Sequence, residues 1–161
     1  MALLSIINCG LICVGVAFAI FSITGNYWLS ASFSHRGLWF NCSKACEKVH
    51  HKKDNLIVTE TFMIIGCLTY FLAFVLSVLN CSKKINIIFP GVVLCATEYY
   101  LFTAVFLAIG LSVYTMETNQ NKALKLSWSY IIGWCSCIIS TISAVICFVM
   151  KRNKQSTYSI F

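Results

Sequence analysis

Four long stretches of this chain are almost free of charge, and that spacing limits what it can become. Residues 2–25, 61–82 and 126–150 contain no charged side chain, and residues 85–116 contain only Glu98. Crossing a hydrocarbon layer of ~30 Å takes ~20 helical residues at ~1.5 Å each, and every stretch reaches that length. Backbone amides find no water in lipid, so each stretch must be a helix. Composition agrees: 59% of the 161 residues are hydrophobic, mean hydropathy is +0.82 and there is a single proline, which excludes a soluble globular enzyme.

The predicted fold is an all-α membrane protein, one four-transmembrane-helix domain over residues 1–161. Spans are expected at about 3–26, 59–80, 87–115 and 127–150, outer loops at 27–58 and 116–126, and a tail at 151–161. Four spans put both termini on one side, and no loop is large enough for a separate soluble domain. Ala17-Phe18-Ala19 offers a small-x-small cleavage pattern. The apolar run nevertheless starts at residue 2 with no basic segment before it, and it outlasts the ~7–15 residues of a signal-peptide core, so it is read as a retained signal anchor.

Two rules disagree about orientation. With cytosolic termini, Lys83, Lys84, Lys151, Arg152 and Lys154 lie inside, against Arg36, Lys44, Lys48, Lys52, Lys53, Lys122 and Lys125 outside. That balance opposes the positive-inside rule. The cysteine pair and sequon of the first loop nevertheless suit an oxidising lumen, and the densest basic cluster abuts the end of the fourth span, so cytosolic termini are expected.

Most of the ten cysteines fall in the spans, where Cys9, Cys13, Cys67, Cys95, Cys135, Cys137 and Cys147 act as small apolar packers. Cys42 and Cys46 alone share an outer loop. Ser43-Lys44-Ala45 between them suits a tight hairpin, which can bring their Cα atoms within the ~4.4–6.8 Å of a disulfide. So short a loop gains little chain-entropy stabilisation, and a bridge there fixes local shape. A structural zinc on Cys42, Cys46, His50 and His51 is the other reading, with four plausible ligands. Adjacent histidines on an extended chain face opposite ways and the lumen is oxidising, so the disulfide is favoured and no metal is expected. Asn41-Cys42-Ser43 is a glycosylation sequon; a second, Asn80-Cys81-Ser82, falls in the inner connector beyond the lumenal transferase.

Trp28 sits at the lip of the first span, where interfacial enrichment of tryptophan alone accounts for it. Trp39 differs. Gly37-Leu38-Trp39-Phe40 runs directly into Cys42, and the alternation across Ser32 to Cys42 predicts a strand with Leu38 and Phe40 opposite Trp39. The order Trp28, Gly37-Leu38-Trp39, Cys42, Cys46 resembles the claudin, peripheral myelin protein and epithelial membrane protein superfamily of four-span proteins. Leu126-Ser127-Trp128-Ser129-Tyr130, followed by Gly133-Trp134, extends that resemblance into the fourth span. It is nearer to the short members, of the lens fibre membrane intrinsic, claudin domain-containing and natural killer granule protein types. The resemblance implies cytosolic termini, a small extracellular antiparallel β-sheet built from the first outer loop, tryptophans packed near the membrane, and glycosylation at Asn41. The loop between Cys42 and Cys46 is too short for the variable strand pair that carries pore charges in claudins, so a paracellular channel is not expected.

Lipid gives helices no hydrophobic reason to associate, so small residues mark contacts. Ala104, Ala108 and Ser112, then Ser136, Ser140 and Ala144, then Gly15 and Ala19 form such stripes, serving either the bundle or lateral self-association. Glu98 is the one carboxylate expected at membrane depth. It is a candidate contact for a basic group of a partner, or else a packing residue beside Tyr99 and Tyr100. No nucleophile elbow, phosphate loop or helix-borne metal motif occurs, so neither an enzyme nor a cofactor is expected, and nothing points to nucleic acid.

On the inner side Cys81, and more weakly Cys147, are candidates for palmitoylation, and Lys151, Arg152 and Lys154 for anionic lipid. Tyr158 to Phe161 fits a tyrosine-based sorting signal read by a cytosolic adaptor, or a terminal PDZ ligand. The expected protein is non-enzymatic, lies in the plasma membrane at cell contacts, and associates through its outer loops with itself or another membrane protein. The alternatives are an accessory subunit of another membrane protein and an organiser of vesicle or granule membrane.

Overall fold

The computed structural model describes residues 2–31, 34–43, 45–49, 54–81, 89–118 and 125–158. Four helices dominate it: α1 (Ala2–Thr24), α2 (Asp54–Cys81), α3 (Phe89–Thr118) and α4 (Trp128–Tyr158). Stretches of 22, 26, 19 and 23 residues within them are long and apolar enough to cross a membrane. The helices form a ring in chain order. α2 lies along α3, α3 along α4, α4 along α1, and a lighter α1–α2 contact closes the ring.

The bundle is polar where it is tightest. Ser136, Ser140 and Ala144 are all buried on α4. Ser136 Oγ donates to the Gly15 carbonyl at 3.1 Å, Ser140 Oγ to the Tyr100 carbonyl at 2.9 Å, and Cys137 Sγ to the Ala104 carbonyl at 3.3 Å. Those small residues let backbones approach until hydroxyls reach neighbouring carbonyls, so the stripes on α1, α3 and α4 are used inside the chain. Between α2 and α3, Tyr100 Oη donates to the Ala73 carbonyl at 3.0 Å and meets Ser77 Oγ, and Thr103 donates to Thr69 at 2.9 Å. The outward faces carry Leu3, Ile6, Phe71, Phe102, Val145 and Phe148, as lipid-facing surfaces should.

A five-stranded antiparallel sheet stands on one end of the bundle in the order β4-β3-β2-β1-β5. Its strands are β1 (Leu29–Ala31), β2 (Ser34–Arg36), β3 (Phe40–Cys42), β4 (Cys46–Lys48) and β5 (Lys125–Leu126). The first loop supplies four of them, as expected. The fifth comes from the segment before α4, pairing Leu29 with Leu126 and Ser30 with Lys125, so the sheet draws on both loops.

The continuous strand expected across Ser32 to Cys42 is instead a hairpin. β2 and β3 pair His35 with Cys42 and Arg36 with Asn41, and Gly37 N–H donates to the Phe40 carbonyl at 2.8 Å, leaving Leu38 and Trp39 as the turn. Leu38 is fully buried, and Phe40 is exposed. The chain reverses because both turn side chains are drawn down to the bundle. The other boundaries shift too. α2 starts at Asp54, ahead of the expected 59–80 span, and within that span Glu60 is only 7% exposed; α4 runs on as helix to Tyr158 through most of the residues expected as a cytosolic tail.

Candidate functional site

The last carbonyls of any α-helix lack partners within it. α1 ends at Thr24, and its terminal carbonyls are met from outside. Gly25 N–H donates to Phe21 at 3.0 Å, Trp28 Nε1 to the Ser22 carbonyl at 2.7 Å, and Trp39 Nε1 to the Ile23 carbonyl at 2.9 Å. Two indoles thus cap the first helix and pin to it the start of β1 and the β2–β3 turn. Gly37 makes the approach possible, since a Cβ there would lie 2.6 Å from the Cα of Asn26.

Trp28 is also the centre of an aromatic cluster. Its ring is fully buried, edge-on to Tyr114 at 4.8 Å and to Tyr130 at 6.1 Å, and Tyr130 shares a 2.6 Å hydrogen bond with Thr115 Oγ1. Tyr130 in turn meets Trp134 edge-on at 6.4 Å. Gly133 lets α4 close on α1: a Cβ there would come within 2.7 Å of Ser22 Oγ.

Backbone bonds join the two signature segments directly. Ser127 N–H donates to the Trp28 carbonyl at 3.0 Å and Ser129 N–H to the Tyr27 carbonyl at 3.2 Å. Ser127 precedes the first helical residue of α4, where serine is a preferred N-cap, and its carbonyl accepts from Tyr130 and Ile131. Sheet and bundle are therefore one piece at this seam.

Outward, the seam presents an aromatic and basic surface. Tyr27, Phe40 and Trp128 are 40%, 39% and 47% exposed. Tyr27 stacks on His35 with centroids 4.2 Å apart and lies 5.7 Å from Trp128. Lys48 and Lys125 are exposed and Arg36 is half-buried, its Nε buried without a partner. Of the basic residues expected on the outer side, Lys44, Lys52, Lys53 and Lys122 lie outside the described residues.

Cys42 and Cys46 are disulfide-bonded across the β3–β4 hairpin. Cys42 is buried and Cys46 exposed, and Asn41 between the neighbouring strands is exposed. His50 and His51, named for zinc, lie outside the described residues; it is His35 whose ring nitrogen lies within 4.8 Å of both sulfurs.

Inside the bundle the sequence expectations fare unevenly. Glu98 is exposed on α3 rather than packed inside the bundle, and among the described residues the buried carboxylate is Glu60, which lies inside the expected 59–80 span one residue ahead of its uncharged run. Cys147 is 3% exposed and accepts a 3.4 Å hydrogen bond from Asn8 Nδ2, so its thiol is enclosed. The side chain of Cys81 and residues 159–161 lie outside those described.

A tryptophan–glycine–leucine–tryptophan loop closed by a cysteine pair and seated on four membrane helices now stands beside a family match. The PMP-22/EMP/MP20/Claudin family pattern covers residues 1–147. The chain belongs to this family. It is similar to the human lens fiber membrane intrinsic protein, with 23% identity over 150 residues, 84% of this chain and 86% of that protein. Mouse claudin domain-containing protein 2 is 26% identical over 152 residues, covering 88% and 83%. Rat outer dense fiber protein 4 is 25% identical over 146 residues, spanning 82% of this chain and half of its own length. The claudin-family match and the four apolar helices make this a multi-pass membrane protein embedded in a lipid bilayer.

Proposed function

We propose that this protein is a non-enzymatic contact protein of the plasma membrane, whose sheet, held on the outer side with both termini cytosolic, associates with a like surface or an acidic partner on an apposed membrane. One observation carries the reading: the sheet is not a loose loop but is fixed to α1 by the Trp28 and Trp39 indoles and to α4 by Ser127 and Ser129. Rigidity matters because ordering a mobile loop on contact costs free energy that a preorganised surface has already spent. The exposed Tyr27, Phe40 and Trp128 with half-buried Arg36 match the aromatic and arginine enrichment of binding surfaces, and Lys48 and Lys125 add positive charge that suits an acidic partner. A glycan on Asn41 would project from β3 beside that surface, and the Tyr158–Phe161 segment would serve an adaptor or PDZ domain in the cytosol.

The test places tagged chain in contacting cells that lack relatives of it, and compares its density at borders shared by two expressing cells with borders where one expresses. Enrichment at two-sided borders alone is the expected result. Even distribution, or retention in vesicles, refutes the contact reading.

A second reading rests on Glu98, an acid exposed on the α3 surface. A carboxylate facing lipid is costly unless a neighbour supplies a donor or a cation, which favours an accessory subunit docked on another membrane protein. Glu98→Gln removes co-purification of such a partner under this reading and leaves border enrichment intact under the first.

A further inference from the structure

We propose that His35, Cys42 and Cys46 hold a zinc ion when the Cys42–Cys46 disulfide is reduced. The inference does not depend on the contact reading. His35 is the register partner of Cys42, and Cys42 that of Cys46, so the three stand in one row across β2, β3 and β4 and project from one face of the sheet. Their ligand atoms all lie within 4.8 Å of one another. Bonds of ~2.3 Å to sulfur and ~2.0–2.1 Å to nitrogen set the edges of a tetrahedral zinc site at about 3.5–3.8 Å, so closure needs shifts of about 1 Å at side-chain tips.

Three features prepare the row for a metal. Tyr27 stacks on His35 at an interplanar angle of 11° and holds the imidazole plane. Cys42 is enclosed and Cys46 is open to solvent, which gives one shielded ligand and an entry path. Ser30 and Lys125 continue the row beyond His35, so no carboxylate sits in it, and Lys48, two residues on from Cys46, adds a second cation that favours thiolates.

The chemistry balances. A dithiol or phosphine reductant delivers two electrons, and two protons from water complete two thiols. Zinc then displaces both protons, and two thiolates with a neutral imidazole leave the site uncharged with its fourth position for water. The hairpin thus has two closed states, one covalent and one metal-bound, chosen by the redox state around it.

The experiment uses the full chain in detergent micelles, reduced with a phosphine and titrated with cobalt(II) as a spectroscopic probe for zinc. The expected result is thiolate-to-cobalt charge transfer and tetrahedral ligand-field bands in the reduced protein only, displaced by zinc. His35→Gln should weaken binding by at least about tenfold, and Cys42→Ser with Cys46→Ser should abolish it, with the other eight cysteines of the chain unchanged as background. A measure that needs no variant runs beside it: zinc should protect Cys42 and Cys46 from alkylation in the wild-type chain. Bands in the oxidised protein, binding indifferent to His35, or alkylation unaffected by zinc would each overturn the site.

Discussion

Trp28 donates its indole N–H to the carbonyl of Ser22 over 2.7 Å, turning the chain back on the helix it has just left. The bond does two jobs. It satisfies a helix-end carbonyl that would otherwise be stranded where water is scarce, and it fixes the angle at which β1 leaves the membrane. Trp39, itself half-buried, repeats the arrangement on the next carbonyl, Ile23, from eleven residues further on.

Replacing Trp28 by Phe keeps most of the buried ring and removes the donor. An orphaned buried carbonyl costs ~1–3 kcal/mol, and truncation to Ala adds cavity cost to reach ~3–5 kcal/mol. The expected order of thermal stability in detergent is wild type, Trp39→Phe, Trp28→Phe, Trp28→Ala, because Trp39 retains solvent access. Scanning calorimetry or near-ultraviolet dichroism reads it. A Trp39→Phe loss larger than that of Trp28→Phe would contradict the burial argument.

Ser22 and Gly133 are coupled. A methyl on Gly133 would come within 2.7 Å of Ser22 Oγ, and that hydroxyl is buried without a hydrogen-bond partner. Gly133→Ala should therefore destabilise by ~1–3 kcal/mol through overpacking, and Ser22→Ala should be neutral or mildly stabilising. The double variant should recover at least ~0.5 kcal/mol of the loss, a non-additivity that a double-mutant cycle measures directly. Strict additivity would mean that Leu111, the next neighbour at 3.0 Å, sets the limit instead.

The helices were legible because lipid imposes length and apolarity on every residue of a span, and four runs carry that mark. The sheet was legible only in outline. Its β2–β3 turn holds Leu38 and Trp39, and among the described residues no glycine or other residue has a positive φ, so the Asn-Gly and Asp-Gly signals of hairpins are missing. Burial of Leu38 and the Trp39 indole bond, both tertiary, make the turn. β5 was missed for a similar reason: Lys125–Leu126 is a two-residue strand with no periodicity to read, visible only through its partners Leu29 and Ser30. Glu60 lies inside the expected 59–80 span, one residue ahead of its uncharged run, and its burial is not readable from charge spacing because the packing of α2 decides it. That the small-residue stripes serve the bundle rather than lateral association was equally closed to sequence, since the choice shows only once hydroxyl and carbonyl partners are known.

Burial separates the cysteines by reactivity. Cys137 and Cys147 are enclosed, whereas Cys13 is exposed on the lipid face of α1. A membrane-permeant maleimide should label Cys13 well before Cys137 or Cys147 in folded protein, with the difference erased in denaturant, as peptide mass spectrometry would show. If the chain is palmitoylated, Cys81→Ser should abolish the acyl-exchange signal and Cys147→Ala should leave it unchanged. Loss of the signal in Cys147→Ala would mean that α4 opens toward its C-terminal end.

Cutting the disulfide distinguishes a brace for the contact surface from a prop for the whole fold. Cys42 and Cys46 are four positions apart, and a loop of that size contributes about 2 kcal/mol through chain entropy. The bundle draws its stability elsewhere, from the small-residue seams of α4 and from the hydroxyl bonds of Tyr100 and Thr103. Cys46→Ser should therefore leave the helix content and the inner-bundle maleimide pattern unchanged while β3 and β4 lose their fixed spacing. Phe40 and Lys48, register partners on those strands, belong to the proposed contact surface, so two-sided border enrichment should fall several-fold even though the protein reaches the cell surface. Surface biotinylation and border imaging on the same cells read both quantities. Unchanged enrichment would move the contact away from the β3–β4 hairpin, to the Tyr27, Trp128 and Lys125 side of the sheet, where Tyr27→Ala with Trp128→Ala becomes the decisive variant.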